Sequence, residues 1–158
     1  MDLFTPIDIA ASGLNAQRLR MTAIASNLAN VDSTRTAEGG PYRRREVLME
    51  AAPLPDFNAV MSQVLGDDAD VNGDTIRVDG LMRGVKAASQ IDYDTQPRFA
   101  HMPGHPDADV NGMVALPNIS VIQEMADMTA ASRNYEANLA TIQSTLQMIE
   151  RAVQIAQV

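Results

Sequence analysis

His101 and His105 stand four residues apart, with Asp107 and Asp109 close behind, and together these side chains have the donor types of a metal site. Pro103, Gly104 and Pro106 lie among them, however, and force a tight turn where i, i+4 ligands would need a helix. The chain has no further histidine to complete a shell, so the segment reads as a loop. A Ser-His-Asp set could be drawn from the same residues, yet no nucleophile elbow accompanies it. Asp68-Ala69-Asp70-Val71-Asn72-Gly73 returns letter for letter as Asp107-Ala108-Asp109-Val110-Asn111-Gly112. That is the oxygen pattern of the front half of a calcium loop. The closing twelfth position holds Asp79 in the first copy and Asn118 in the second, never the bidentate Glu, and Gly80 opposes an exiting helix. Asx-Gly turns account for both copies without an ion. Gly39-Gly40 lacks the Gly-Lys-Ser/Thr of a phosphate loop. With no cysteine in the chain, thiolate chemistry is excluded as well. The expectation is a protein that is not an enzyme and uses neither cofactor nor metal.

The elements around these residues are better defined. The 158 residues suffice for one domain, with three Phe, three Tyr and no Trp among ten Met. Met and Ala favour helix packing over a thick β core. At the start, Thr5-Pro6-Ile7-Asp8 offers an N-cap hydroxyl, a proline at the first helical position and an early carboxylate. Ile7, Leu14, Met21 and Leu28 then recur every seven residues with Ile24 between, interrupted by Gln17 and weakened at Gly13 by ~1 kcal/mol relative to Ala. Asn27 and Asn30 end the run, Asn being a residue that tolerates a left-handed cap. The other end begins after Pro117-Asn118, where Ser120 and Gln123 could form a capping box. Met125, Met128, Tyr135, Leu139, Ile142, Leu146, Ile149 and Val153 follow in a sustained 4-3 stripe. Helices over 6–30 and 121–157 would run roughly 37 and 56 Å.

Residues 32–118 hold all but one of the nine glycines and all but one of the eight prolines. Thr75–Val78 and Met113–Leu116 suggest short strands, and Asp56–Leu65 a short helix. The predicted fold is mainly α: long terminal helices pairing as an antiparallel coiled coil, with a small turn-rich, β-containing middle segment. The segments expected are an N-terminal helix over 1–31, a middle segment over 32–118 and a C-terminal helix over 119–158. Ile122, Met148 and Ile155 fall off the stripe, so a lone helix pair would leave apolar side chains in water. Such a surface points to assembly with neighbouring chains.

Charge limits the partners. Twenty acids against twelve bases give a net charge of −8, which repels nucleic acid and anionic bilayers. No stretch is long and apolar enough to insert into a membrane, and Met1-Asp2-Leu3 does not begin like a cleaved secretory signal. Arg43-Arg44-Arg45 is the one basic cluster. Arginine forks suit carboxylates across an interface, which makes this triplet a candidate for intersubunit charge pairing or simply a solvated patch.

Here the residues resemble a family. Ala25-Ser26-Asn27-Leu28-Ala29-Asn30, Thr34-Arg35-Thr36 and Gly39-Gly40-Pro41-Tyr42-Arg43-Arg44 are similar to the amino-terminal signature of bacterial flagellar basal-body rod proteins. Pro103–Asp109, Pro117-Asn118, Glu124-Met125, Asp127-Met128 and Ala131–Asn138 are similar to the proximal rod members. The signature residues carried over are Asn27, Asn30, Thr34, Gly39, Gly40, Pro41 and Tyr42. The resemblance implies a structural subunit of the rod in the periplasm, exported by the flagellar type III apparatus without a cleaved leader. It also implies helical assembly with copies of itself, other rod proteins and the protein joining rod to membrane ring. Residues 46–100 are only weakly similar. A calcium-binding helical adaptor built on the repeated acidic turns is the alternative.

Overall fold

The structure, a computed structural model, describes residues 5–53 and 83–156. Among these residues two helices, α1 (Thr5–Ala29) and α2 (Val121–Ala156), bracket four strands: β1 (Arg45–Pro53), β2 (Arg83–Ile91), β3 (Arg98–His101) and β4 (Met113–Leu116). The mainly helical character with a small β part agrees with the sequence, and Met113–Leu116 is a strand as expected. Asp56–Leu65, Thr75–Val78 and the first acidic repeat lie outside the described residues.

The helix pairing has a clear physical basis. Close contacts join Gly13 to Asn138, Arg20 to Asp127 and Asn27 to Glu124, so α2 runs back along α1. On α1 these contacts recur every seven residues, one place before the apolar series. On α2 the buried residues Glu124, Ala131 and Thr145, with half-buried Asn138 between, also recur by seven. Ala10, Ala16 and Ala23 are buried alongside. The seam is therefore built from small and polar side chains, which let the backbones approach more closely than facing leucines would. The expected apolar stripe flanks it: Ile24 is buried, whereas Ile7, Leu14, Met21 and Leu28 are half-buried.

Gly13 is placed by this approach. A Cβ there would stand 2.8 Å from Asn138 Nδ2. Gly13→Leu should wedge the helices apart and cost about 2 kcal/mol, read as a lower urea midpoint. An unchanged midpoint would show that the seam has slack.

Asn30 does not cap α1 in the left-handed conformation anticipated; no described residue other than glycine has positive φ. Its backbone N donates to Ser26 O (3.2 Å), its Nδ2 donates to the same carbonyl (2.9 Å), and its Oδ1 accepts from Ser33 Oγ (3.1 Å). The side chain supplies the cap that backbone inversion would otherwise provide.

β1 and β2 form an antiparallel ladder from Arg45↔Ile91 to Pro53↔Arg83. It lies against α1, where Val85 N donates to Ser12 Oγ at 3.0 Å. β3 and β4 form a second antiparallel pair, from Arg98↔Leu116 to His101↔Met113, with Val114 and Leu116 buried.

Candidate functional site

Three distant parts of the chain meet where α1 ends, β1 begins and α2 begins. Asn27 is fully buried there, and each of its hydrogen-bonding positions is used. Nδ2 donates to Arg45 O (2.9 Å) and to Glu124 Oε2 (3.1 Å); Oδ1 accepts from Arg45 N (2.8 Å) and Tyr42 OH (3.1 Å). The amide thus pairs with the outward edge of Arg45 much as a neighbouring strand would. Ser26 Oγ lies 3.0 Å from the same Tyr42 hydroxyl.

Glu124, 1% exposed, receives Arg44 Nε on Oε1 at 2.7 Å, and the other face of that guanidinium pairs with Glu46. Burial works to lower the Arg44 pKa, but the Glu124 hydrogen bond and charge, with Glu46 and Asp127 behind them, outweigh it and raise the value. The cation is therefore fixed. Nearby, Asp92 is held below the usual carboxylate range, first by the Thr95 hydroxyl and then by backbone N–H groups.

The remaining signature residues converge on the same region. Thr34 Oγ1 donates to Asp107 Oδ2 at 2.9 Å, and Arg35 stands 3.7 Å from the other carboxylate oxygen. Gly39 and Gly40 hold φ of 88° and 78° in a turn closed by Thr36 N on Gly40 O, a conformation that costs other residues roughly 1–2 kcal/mol. With Pro41 they line a cavity of about 110 Å³ opposite Pro117 and Asn118. The triple arginine is divided among different tasks: Arg43 lies over the Tyr93 ring at 4.9 Å, Arg44 is committed inward, and Arg45 is exposed.

The histidine turn is occupied with its own geometry. His105 Nδ1 accepts from Asp107 N (3.1 Å), and Asp109 Oδ1 accepts from Val110 N (2.7 Å). Among the described residues no three His, Asp or Glu side chains are grouped to hold a metal. Asp107, first residue of the second acidic repeat, is directed to Thr34 and Arg35.

A second surface lies along α2. Of the predicted stripe, Met128, Tyr135, Ile142 and Ile149 are half-buried, whereas Met125, Leu139, Leu146 and Val153 are exposed. Ile122 and Ile155, off the stripe, are 83% and 78% exposed. Glu124, Ala131 and Asn138 stood among the residues carrying the resemblance, but their place with Thr145 in the helix seam was not foreseen, because a hydrophobic pattern does not register polar heptads; the seven-residue recurrence was the available signal.

Comparison with known proteins bears on both surfaces. Residues 7–35 match a family described as flagella basal body rod protein, and residues 110–155 match one described as flagellar basal body rod FlgEFG protein C-terminal. The chain is 40% identical to the flagellar basal-body rod protein FlgC of Borreliella burgdorferi, with 99% of each chain covered. It is 34% identical to FlgC of Salmonella typhimurium and 33% identical to FlgC of Bacillus subtilis, again over nearly the whole of each chain. The chain belongs to the FlgC family. FlgC proteins are structural components of the flagellar basal-body rod, not enzymes, and the residues of the site accord with structural work. The two family matches cover the two helices, and between them fall Arg44 and the hairpin that the buried Asn27 and Glu124 hold in place.

Proposed function

We propose that this FlgC-family chain is a proximal rod subunit whose helix pair is completed by its neighbours, in a helical assembly with copies of itself and other rod proteins that transmits torque. The observation that carries this reading is the heptad line of exposed Met125, Leu139, Leu146 and Val153, one residue on from the packed seam of a 36-residue helix, with exposed Ile155 beyond that line. Apolar side chains so arranged gain most when a second helix covers them. The seven-residue recurrences on both helices support reading the pair as an antiparallel coiled coil, with segments 1–31 and 119–158 as its arms and 32–118 directed outward. On this reading Ile7, Leu14, Met21 and Leu28 form the complementary stripe, while Arg43 and Arg45 meet acidic surface on adjacent subunits.

The same reading takes in the partners that the resemblance implies: the protein joining rod to membrane ring, and the flagellar type III apparatus that delivers the chain to the periplasm. No described helix is long and apolar enough to cross a membrane. The test is a photo-crosslinking amino acid at Leu139 or Leu146 in cells, followed by isolation of basal bodies. Adducts to another copy or to another rod protein are expected. Incorporated subunits that give none from either position would refute the proposed face.

A further inference from the structure

We propose that Asn27, Arg44 and Glu124 form a latch that sets the orientation of the β1–β2 hairpin on the helix pair, so that the hairpin is a rigid arm only while α1 and α2 are together. This is a property of the single chain and holds independently of the rod reading. The three residues link their elements two by two: Asn27 joins α1 to β1 through Arg45 and joins α1 to α2 through Glu124, and Arg44, immediately before β1, joins the start of that strand to α2. Such a triangle resists rotation about any one side.

Among the described residues the hairpin has one other hydrogen-bonded anchor on α1, Val85 N to Ser12 Oγ, and its side-chain link to α2 is made by Arg44, the residue preceding β1. Without the latch it keeps its place along α1 and loses its angle to α2. The chemistry also demands completeness. Asn27 spends two donors and two acceptors, which neither Asp nor Leu can imitate. Glu124 is covered on all sides, so its carboxylate requires Arg44 and Asn27 at once. Asn27 and Arg44 are therefore positioning residues, and Glu124 is the point where their effects combine.

The chain contains no cysteine, so spin labels can be introduced in pairs into the full-length protein. Glu50→Cys with Glu136→Cys reports hairpin against α2, and Asn15→Cys with Glu136→Cys reports α1 against α2. Electron–electron distance measurements on the otherwise unchanged chain should give narrow distributions for both pairs. Adding Asn27→Ala should broaden the hairpin distribution at least about twofold and leave the helix distribution narrow. Glu124→Gln, which keeps the shape and removes the charge facing Arg44, should broaden the hairpin distribution by a smaller factor. A broad hairpin distribution in the unaltered chain, or a narrow one in Asn27→Ala, would overturn the latch. If Asn27→Ala broadens both pairs, the decision passes to Glu124→Gln: a broadened hairpin beside a narrow helix pair supports the latch, and any other result overturns it.

Discussion

Arg44→Ala should destabilise the isolated chain by about 3 kcal/mol, because it strands a carboxylate in the interior. The Glu124 side chain is 2% exposed while that of Arg44 is 27% exposed, and this difference decides which partner is more costly to remove. Without Arg44, Glu124 retains one Asn27 N–H and little water. Without Glu124, Arg44 retains Glu46 and a wet face, so Glu124→Ala should cost only about 1–2 kcal/mol. The double variant should then be no less stable than Arg44→Ala alone, since the uncompensated charge has gone. Urea denaturation of the three variants measures the asymmetry. Equal losses from the two single changes would mean that the pair behaves as an exposed ion pair, contrary to its burial.

The second large effect concerns assembly. Leu139→Asp and Leu146→Asp fall on exposed positions of α2 and should change the stability of the isolated chain by no more than about 0.5 kcal/mol. In cells each should abolish motility. A covered leucine contributes about 1.5–3 kcal/mol relative to exposure, and a charge in its place adds a desolvation penalty that recurs at every copy in a repeating structure. Ile142→Asp and Leu28→Asp, at half-buried positions, should lose both stability and motility. Soft-agar swarming, with immunoblots of isolated basal bodies, separates the two classes. Normal swarming by Leu139→Asp and Leu146→Asp would exclude this face from rod contacts.

Both predictions depend on how the same helices serve two surfaces. The contacts joining α1 to α2 run through small and polar residues, Gly13 with Asn138, Arg20 with Asp127 and Asn27 with Glu124, leaving Met125, Leu139, Leu146 and Val153 of α2 exposed. A helix pair with leucines turned inward would bury more area within one chain and present less to another. The buried ion pair adds little net stability over a well-packed apolar cluster, yet it is strict about geometry. A subunit whose hairpin must meet others at a defined angle is well served by that strictness.

Linear order alone determined the two long helices, because apolar periodicity and terminal caps are local properties that survive without knowledge of the partner. Short-run patterning also identified Met113–Leu116 as a strand, while it was the family resemblance that marked Asn27, Thr34, Gly39, Gly40 and Tyr42 as a group. Linear order did not yield β1 and β2: Arg45–Pro53 carries three charges, and Arg83–Ile91 contains Gly84, Lys86 and two consecutive alanines, so intrinsic β preference is weak and the pairing between them supplies the stability. Nor could it tell which side of α2 faces α1. Hydrophobicity selected Met125, Leu139, Leu146 and Val153, while backbone proximity at Gly13 selected Glu124, Ala131, Asn138 and Thr145 instead. The meeting of Asn27 with Arg45, across 18 residues, and with Glu124, across 97, was decided by the tertiary structure alone, since a polar side chain carries no mark of the partner that will satisfy it until the chain has folded around both.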